Sequence, residues 1–188
     1  MRVIAGFFKG KKILEPKDTH TRPLKDLTKE SIFNIIQHSN KFDIDLEKSN
    51  ILDLFSGVGS FGIECLSRGA KNVIFVENYN KVLPILKKNL INLKSIENYK
   101  IIECDINKID IFSNLEKKFN IIFLDPPYKD KNLENLLDKI YQSKILYQKS
   151  IIIIHRHKNE KDNFPKKFKI IEEKKYGISK IIFLSILD

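Results

Sequence analysis

The chain has 188 residues, 42% of them hydrophobic and 31% charged, and carries a formal net charge of +10. That length suits one domain with a sizeable core, and the composition excludes a disordered chain. No apolar stretch reaches the ~18 residues of a membrane span, and the opening MRVIAGFFKGKK meets charge too often for a signal peptide, so a cytoplasmic protein without membrane attachment is expected. The two cysteines, Cys65 and Cys104, form no CxxC pair, so no metal is expected and both read as small buried apolar residues. The lysine excess points to a polyanion partner, although the lysines are spread along the whole chain.

In chain order, RVIAGFFKGKKIL holds two short extended runs about Gly6 and Gly10, the pattern of a small β-hairpin. EPKDTHTRP follows as a loop bounded by Pro16 and Pro23. In KDLTKESIFNIIQHS, Leu27, Ile32, Ile35 and Ile36 recur at helical spacing, with Asp26 or Thr28 available as the cap. After the polar NKFDIDLEKSN comes ILDLF, a short apolar strand, and then SGVGSFGIECLSRG, a glycine-rich turn opening a helix with Gly69 at its C-cap. VIFVE is a second strand, and NKVLPILKKNLINL a helix whose first turn Pro84 trims. YKIIECDI is a third strand, NKIDIFSNLEKK a short helix, NIIFL a fourth strand ending at Asp125, and KNLENLLDKIYQS another helix. SIIIIHRH is a fifth strand, and FKIIEEKKYGISKIIFLSIL two more about Tyr176-Gly177.

Strands that read as solid Ile, Val, Leu and Phe and alternate with helices are buried on both faces. The expected fold is therefore α/β: a doubly wound, mostly parallel seven-stranded sheet closed by a C-terminal antiparallel hairpin. Residues 1–188 form a single domain, in which 1–24 is the hairpin-and-loop extension and 25–188 the core. In such sheets ligands bind beyond the C-terminal strand ends. That rule selects Asp53 to Gly57, Glu77, Asp105, Asp125 and His155.

Gly57-Val58-Gly59-Ser60-Phe61-Gly62 is a GxGxxG between strand and helix, which allows a tight turn and close ligand approach. Glu77 ends the next strand, the position of a carboxylate that accepts from ribose hydroxyls. Together they suggest a nucleoside cofactor, either a dinucleotide or S-adenosylmethionine. Asp53, four residues before the first glycine, would repel a pyrophosphate but could receive the ammonium of a methionine moiety. Asp105 could hold an adenine amino group.

FLDPPY, residues 123–128, then gains a chemical role. An exocyclic base amine is a poor nucleophile because its lone pair is delocalised into the ring. Two acceptors aimed at its hydrogens favour attack: the Asp125 carboxylate and the Pro126 carbonyl, which no ladder partner claims. Tyr128 can stack on the base. No Pro-Cys pair occurs, so a covalent cysteine route lacks its nucleophile.

These residues resemble class I S-adenosylmethionine-dependent methyltransferases that modify amino groups through (N/D)PP(Y/F/W). MRVIAGFFKGKKI, TRPLKDLTKESIFNII, ILDLFSGVGSFGIECLSRGA, FLDPPY and the terminal KKYG together resemble the RsmD family over nearly the whole chain. Members are bacterial enzymes acting on a guanine exocyclic N2 of 16S ribosomal RNA. The resemblance implies a Rossmann-like fold, S-adenosyl-L-methionine as cofactor, and ribosomal RNA within the small subunit as partner, for a chain working as a monomer. By it, Asp53, Phe55, Gly57 and Gly59 line the methionine end, Glu77 binds ribose, and Asp105 with Ile106 flanks adenine. Asp125, Pro126 and Tyr128 are catalytic. Thr21 and Arg22 match the family's TRP segment, where Arg22 pairs with a carboxylate or a phosphate. The family's Thr after TRP is Leu24 here. Lys9, Lys11 and Lys12, with Arg22 and Lys25, are read as gripping RNA phosphates. His155 and His157 share a strand face near the substrate mouth, too few ligands for a metal. The competing readings are an adenine-N6 methyltransferase of DNA or RNA, ranked lower because no target-recognition domain is visible, a nucleic-acid-binding module without activity, and a dinucleotide oxidoreductase.

Overall fold

A computed structural model describes residues 1–16, 24–94, 96–128 and 130–187. Its sheet contains β1 (Asn50–Leu54), β2 (Asn72–Glu77), β3 (Tyr99–Glu103), β4 (Phe119–Leu124), β5 (Leu146–His157), β6 (Phe168–Tyr176) and β7 (Ser179–Ile186) in the order β3-β2-β1-β4-β5-β7-β6. All pairings are parallel except the two made by β7. The helices are α1 (Asp26–His38), α2 (Ser60–Ser67), α3 (Leu83–Ile91) and α4 (Leu133–Gln142). This is the doubly wound sheet expected, with its antiparallel strand last in sequence.

The period of two along each strand divides the core. Ile51, Phe75, Ile121, Phe123, Ile153 and Phe183 join one cluster with α1, α2 and α3. Leu52, Leu54, Ile122, Leu124, Ile154 and Leu184 join the other, which α4 covers through Leu133, Leu136, Leu137 and Ile140. In β1, β4 and β7 both faces are largely buried, which is why these strands lack polar alternation, whereas the edge strands β3 and β6 are largely exposed. In the first cluster the Phe61 ring stacks on Phe123 at 4.1 Å and on Phe33 at 5.3 Å, tying α2 to β4 and α1.

Four local expectations change. The N-terminal hairpin is a strap joined by a single antiparallel bridge, Arg2 to Lys12. Its amides turn instead to α2: Ile4 and Ala5 donate to the Glu64 carboxylate, and Phe8 to Ser67 Oγ. The helix expected over 107–118 is only a 3-10 turn, Phe112–Asn114, because the Asp105 and Asp110 carboxylates accept from the amides of Asn107 and Phe112 and close local turns. Neither Asp26 nor Thr28 caps α1; the N-cap is Lys25, without a side-chain bond. α1 buries Thr28, Lys29, Ile32, Phe33 and Ile36, which leaves Leu27 exposed.

Lys29 and Glu64 are both fully buried and lie 3.7 Å apart; Arg68 reaches Glu64 at 2.9 Å. Burial depresses the Lys29 ammonium below its ordinary range, against the opposing pull of Glu64. Glu64 thus joins the strap, α1 and α2. Glu64→Ala, which leaves the buried Lys29 and Arg68 without their counter-charge and two amides without their acceptor, is expected to cost about 3–5 kcal/mol, read as a lower urea midpoint at unchanged slope.

Candidate active site

The strand order reverses between β1 and β4, and a cleft of about 470 Å³ opens beyond their C-terminal ends. Asp53, Phe55, Gly57, Glu77, Asp125, Pro126 and Tyr128 all line it, together with Leu24, Asn78 and Phe123. Sequence positions more than 70 apart therefore meet at one site.

The turn after β1 is fixed at both ends. Phe55 has φ +59° and Gly57 φ +56°, the left-handed region that a non-glycine residue occupies only under constraint. Ser56 Oγ bonds the Asp53 and Val76 carbonyls and accepts from the Val76 amide, lashing the turn to β2. Gly57 N–H donates to Glu77 Oε2 at 2.7 Å. The other Glu77 oxygen accepts from Asn78 and Tyr79, each at 2.9 Å. Oε2 thereby keeps capacity for a hydroxyl from a ligand. Gly59 does not line the cleft. A Cβ on it would meet Leu86 Cδ1 at 2.5 Å, so this glycine lets α2 pack against α3.

Asp53 is 1% exposed. Its Oδ2 accepts from Gly62 N–H at 3.0 Å, whereas its buried Oδ1 has no partner among the described residues. Burial pushes this carboxyl well above the usual range, opposed by the Gly62 bond and reinforced by the charges of Asp125 and Glu77. An orphaned carboxylate oxygen facing such a cleft fits a ligand carrying an ammonium or another cation. Asp105 and Ile106 lie in a small depression with the half-buried Cys104 that shares Phe55, Glu77 and Asn78 with the main cleft. They extend it past Glu77, as a base beyond a ribose would require.

Asp125 is 19% exposed, and its Oδ1 lies 2.8 Å from His155 Nδ1. Among the described residues no donor reaches the Pro126 carbonyl. Tyr128 Oη and Ser179 Oγ lie 3.2 Å apart. The sequence reading missed the brace behind this turn. Arg156, 2% exposed, donates to the carbonyls of Pro127 at 3.1 Å and Asp130 at 3.0 Å. Asp162 holds it at 2.9 Å and is itself paired with Lys180 at 3.1 Å. The available signal was a guanidinium two residues beyond the apolar run 151–154, a placement that demands buried acceptors.

Not every expected residue reaches the cleft. Arg22 and Thr21 lie outside the described residues. The 6–10 turn, with Lys9, packs at the C-terminal end of α2, where Phe7 N–H bonds the Ser67 carbonyl. The Lys11 ammonium bonds the Asn92 carbonyl just past α3, and Lys12 bridges Arg2. An eight-residue helix is about 12 Å long, so Lys9 and Lys11 stand at the opposite end of α2 from the cleft.

Because its folded-state pKa is raised, protonated Asp53 favours the fold below its unfolded value of about 3.9. That stability is lost as pH climbs from there through the raised folded value, by at most about 1.4 kcal/mol per pH unit. Asp53→Asn, without ligand, should melt above the unsubstituted protein at pH 7, and the gap should close as the pH falls toward 4. Calorimetric melting over that range checks it.

The family model described as "Conserved hypothetical protein 95" matches residues 1–185. A presumed rRNA methyltransferase of Bacillus subtilis, YlbH, is 38% identical over 154 residues, covering 81% of this chain and 80% of the relative. Ribosomal RNA small subunit methyltransferase D of Haemophilus influenzae is 32% identical over 181 residues, covering 95% of this chain and 90% of the relative. A solved structure from Escherichia coli, the presumed methyltransferase yhhF, superposes with a TM-score of 0.78 at 26% identity, covering 99% of this chain and 97% of that one. With its strand order, its anionic cleft and its DPPY turn, the chain belongs to the RsmD family of S-adenosylmethionine-dependent methyltransferases.

Proposed function

We propose that the protein methylates the exocyclic N2 amine of a guanine in small-subunit ribosomal RNA. The observation that carries this reading is the DPPY turn: just beyond β4 the Asp125 carboxylate and the Pro126 carbonyl, which no donor among the described residues reaches, line the same cleft as Asp53 on β1, whose Oδ1 has no partner among those residues. The H. influenzae relative acts on small-subunit ribosomal RNA by its name, and the charge of +10 suits a polyanion.

S-adenosylmethionine supplies a methyl group on a sulfonium centre. Asp53 Oδ1 receives the ammonium of its amino-acid end, Glu77 the ribose hydroxyls, and Asp105 with Ile106 the adenine, while Phe55 and Gly57 shape the wall between. Asp125 and Pro126 accept the two amine hydrogens and hold the nitrogen in line with the methyl group. As the N–C bond forms, the electron pair of the breaking C–S bond returns to sulfur. The surplus proton on nitrogen leaves to Asp125 or to water beside it. Tyr128 stacks on the base. Lys9, Lys11 and Lys12 would then touch only RNA that runs past the cleft along α2, and Arg22 would pair with a phosphate or a carboxylate, as the family resemblance implies.

Labelled S-adenosylmethionine and small subunits lacking modification provide the test, with nucleoside analysis of the product. Label should appear in N2-methylguanosine; label in N6-methyladenosine would replace guanine by adenine. Asp125→Ala should lower turnover at least 10²-fold with cofactor affinity nearly unchanged by calorimetry. Asp53→Asn should do the reverse, weakening cofactor binding on the order of tenfold or more.

A further inference from the structure

We propose that His155 is a positioning residue for Asp125: its ring holds Oδ1 of the carboxylate and so presents Oδ2 to the substrate amine. This rests on the amine-methylation reading of Asp125 above. β4 and β5 run parallel with Leu124 opposite Ile154, so the next residue on each strand emerges side by side at the cleft end of the sheet. His155 Nδ1 and Asp125 Oδ1 are 2.8 Å apart. An ionised carboxylate only accepts, so the hydrogen belongs to Nδ1.

Among the described residues the ring has no other polar partner. His155 is 5% exposed, and its Nε2 is buried without a partner among them. Its neighbour on β7 is Ile181. Tyr128 meets it edge-on at 6.1 Å, and His157, two residues along β5, packs on Tyr128 rather than bonding His155. Leaving one imidazole nitrogen unsatisfied in the interior is costly. An apolar side chain would fill that place without the penalty, so a role for the other nitrogen accounts for the histidine.

The geometry supplies that role. Rotation about the last bond of an aspartate is soft, and an acceptor that swings cannot hold an amine lone pair in line with a methyl group. Fixing Oδ1 leaves a single orientation for Oδ2, which has no partner among the described residues. Arg156, the next residue along β5, fixes the turn behind through Pro127 and Asp130. Consecutive residues of one strand thus set the carboxylate and the backbone of DPPY separately.

His155→Leu and His155→Asn leave similar space, but the amide nitrogen of Asn can replace Nδ1 as donor. Methyl transfer to small subunits lacking modification should fall on the order of 10²-fold in kcat for the Leu variant, with KM and the calorimetric affinity for S-adenosylmethionine unchanged. The Asn variant should recover most of the loss. In an Asp125→Asn background, His155→Leu should add little, because both changes remove one unit. Leu and Asn variants equally impaired, a Leu variant at full kcat, or losses that multiply in the Asp125→Asn background would each overturn the proposal. Asp125→Asn at full turnover would instead remove Asp125 from the reaction, and the positioning role with it.

Discussion

A buried carboxylate with no cation beside it among the described residues governs this molecule. Asp53 lies inside the sheet end with one oxygen unpaired among those residues, and the charges that act on it there, Asp125 and Glu77, are also negative. Such an arrangement raises the free energy of the empty protein and persists only where the surrounding scaffold leaves the chain no escape. The scaffold here is the reversal of strand order between β1 and β4. Parallel strands held in register on both sides deliver their last residues to one place, whatever charge those residues carry.

Four of the chain's cations are held by buried acids away from that place. Glu64 captures Lys29 and Arg68 behind α2, and Asp162 captures Arg156 and Lys180 behind the DPPY turn. The first cluster anchors the N-terminal strap and α1, and the second anchors the turn after β4. A protein of net charge +10 thereby keeps a cleft whose charged lining, among the described residues, is acidic.

What could be read from the sequence was local. The glycine turn after Asp53, Glu77 at the next strand end and the DPPY stretch each depend on neighbours within a few residues, and all meet in the cleft. Three features depended on distant partners. Arg156 needed the Pro127 and Asp130 carbonyls, 29 and 26 residues away; the strap needed Glu64, about 60 residues away; and the position of Lys9 and Lys11 depended on the strap's path along α2, which the sequence does not show. The weak helix after β3 failed for the opposite reason: Asp105 and Asp110 offered the backbone a nearer partner than a helix would. Gly59 carries a packing constraint of its own, in the approach of α2 to α3, that its place in the glycine motif does not reveal.

The position of β7 sets an order of events. β6 pairs only with β7, and β7 alone joins it to β5. During synthesis β6 emerges first yet has no strand to join until the residues after Ser179 arrive. The same late residues complete the DPPY turn, since Ser179 meets Tyr128 and Lys180 holds Asp162. The turn after β4 is therefore braced by the last strand to be made, after every strand of the parallel part of the sheet.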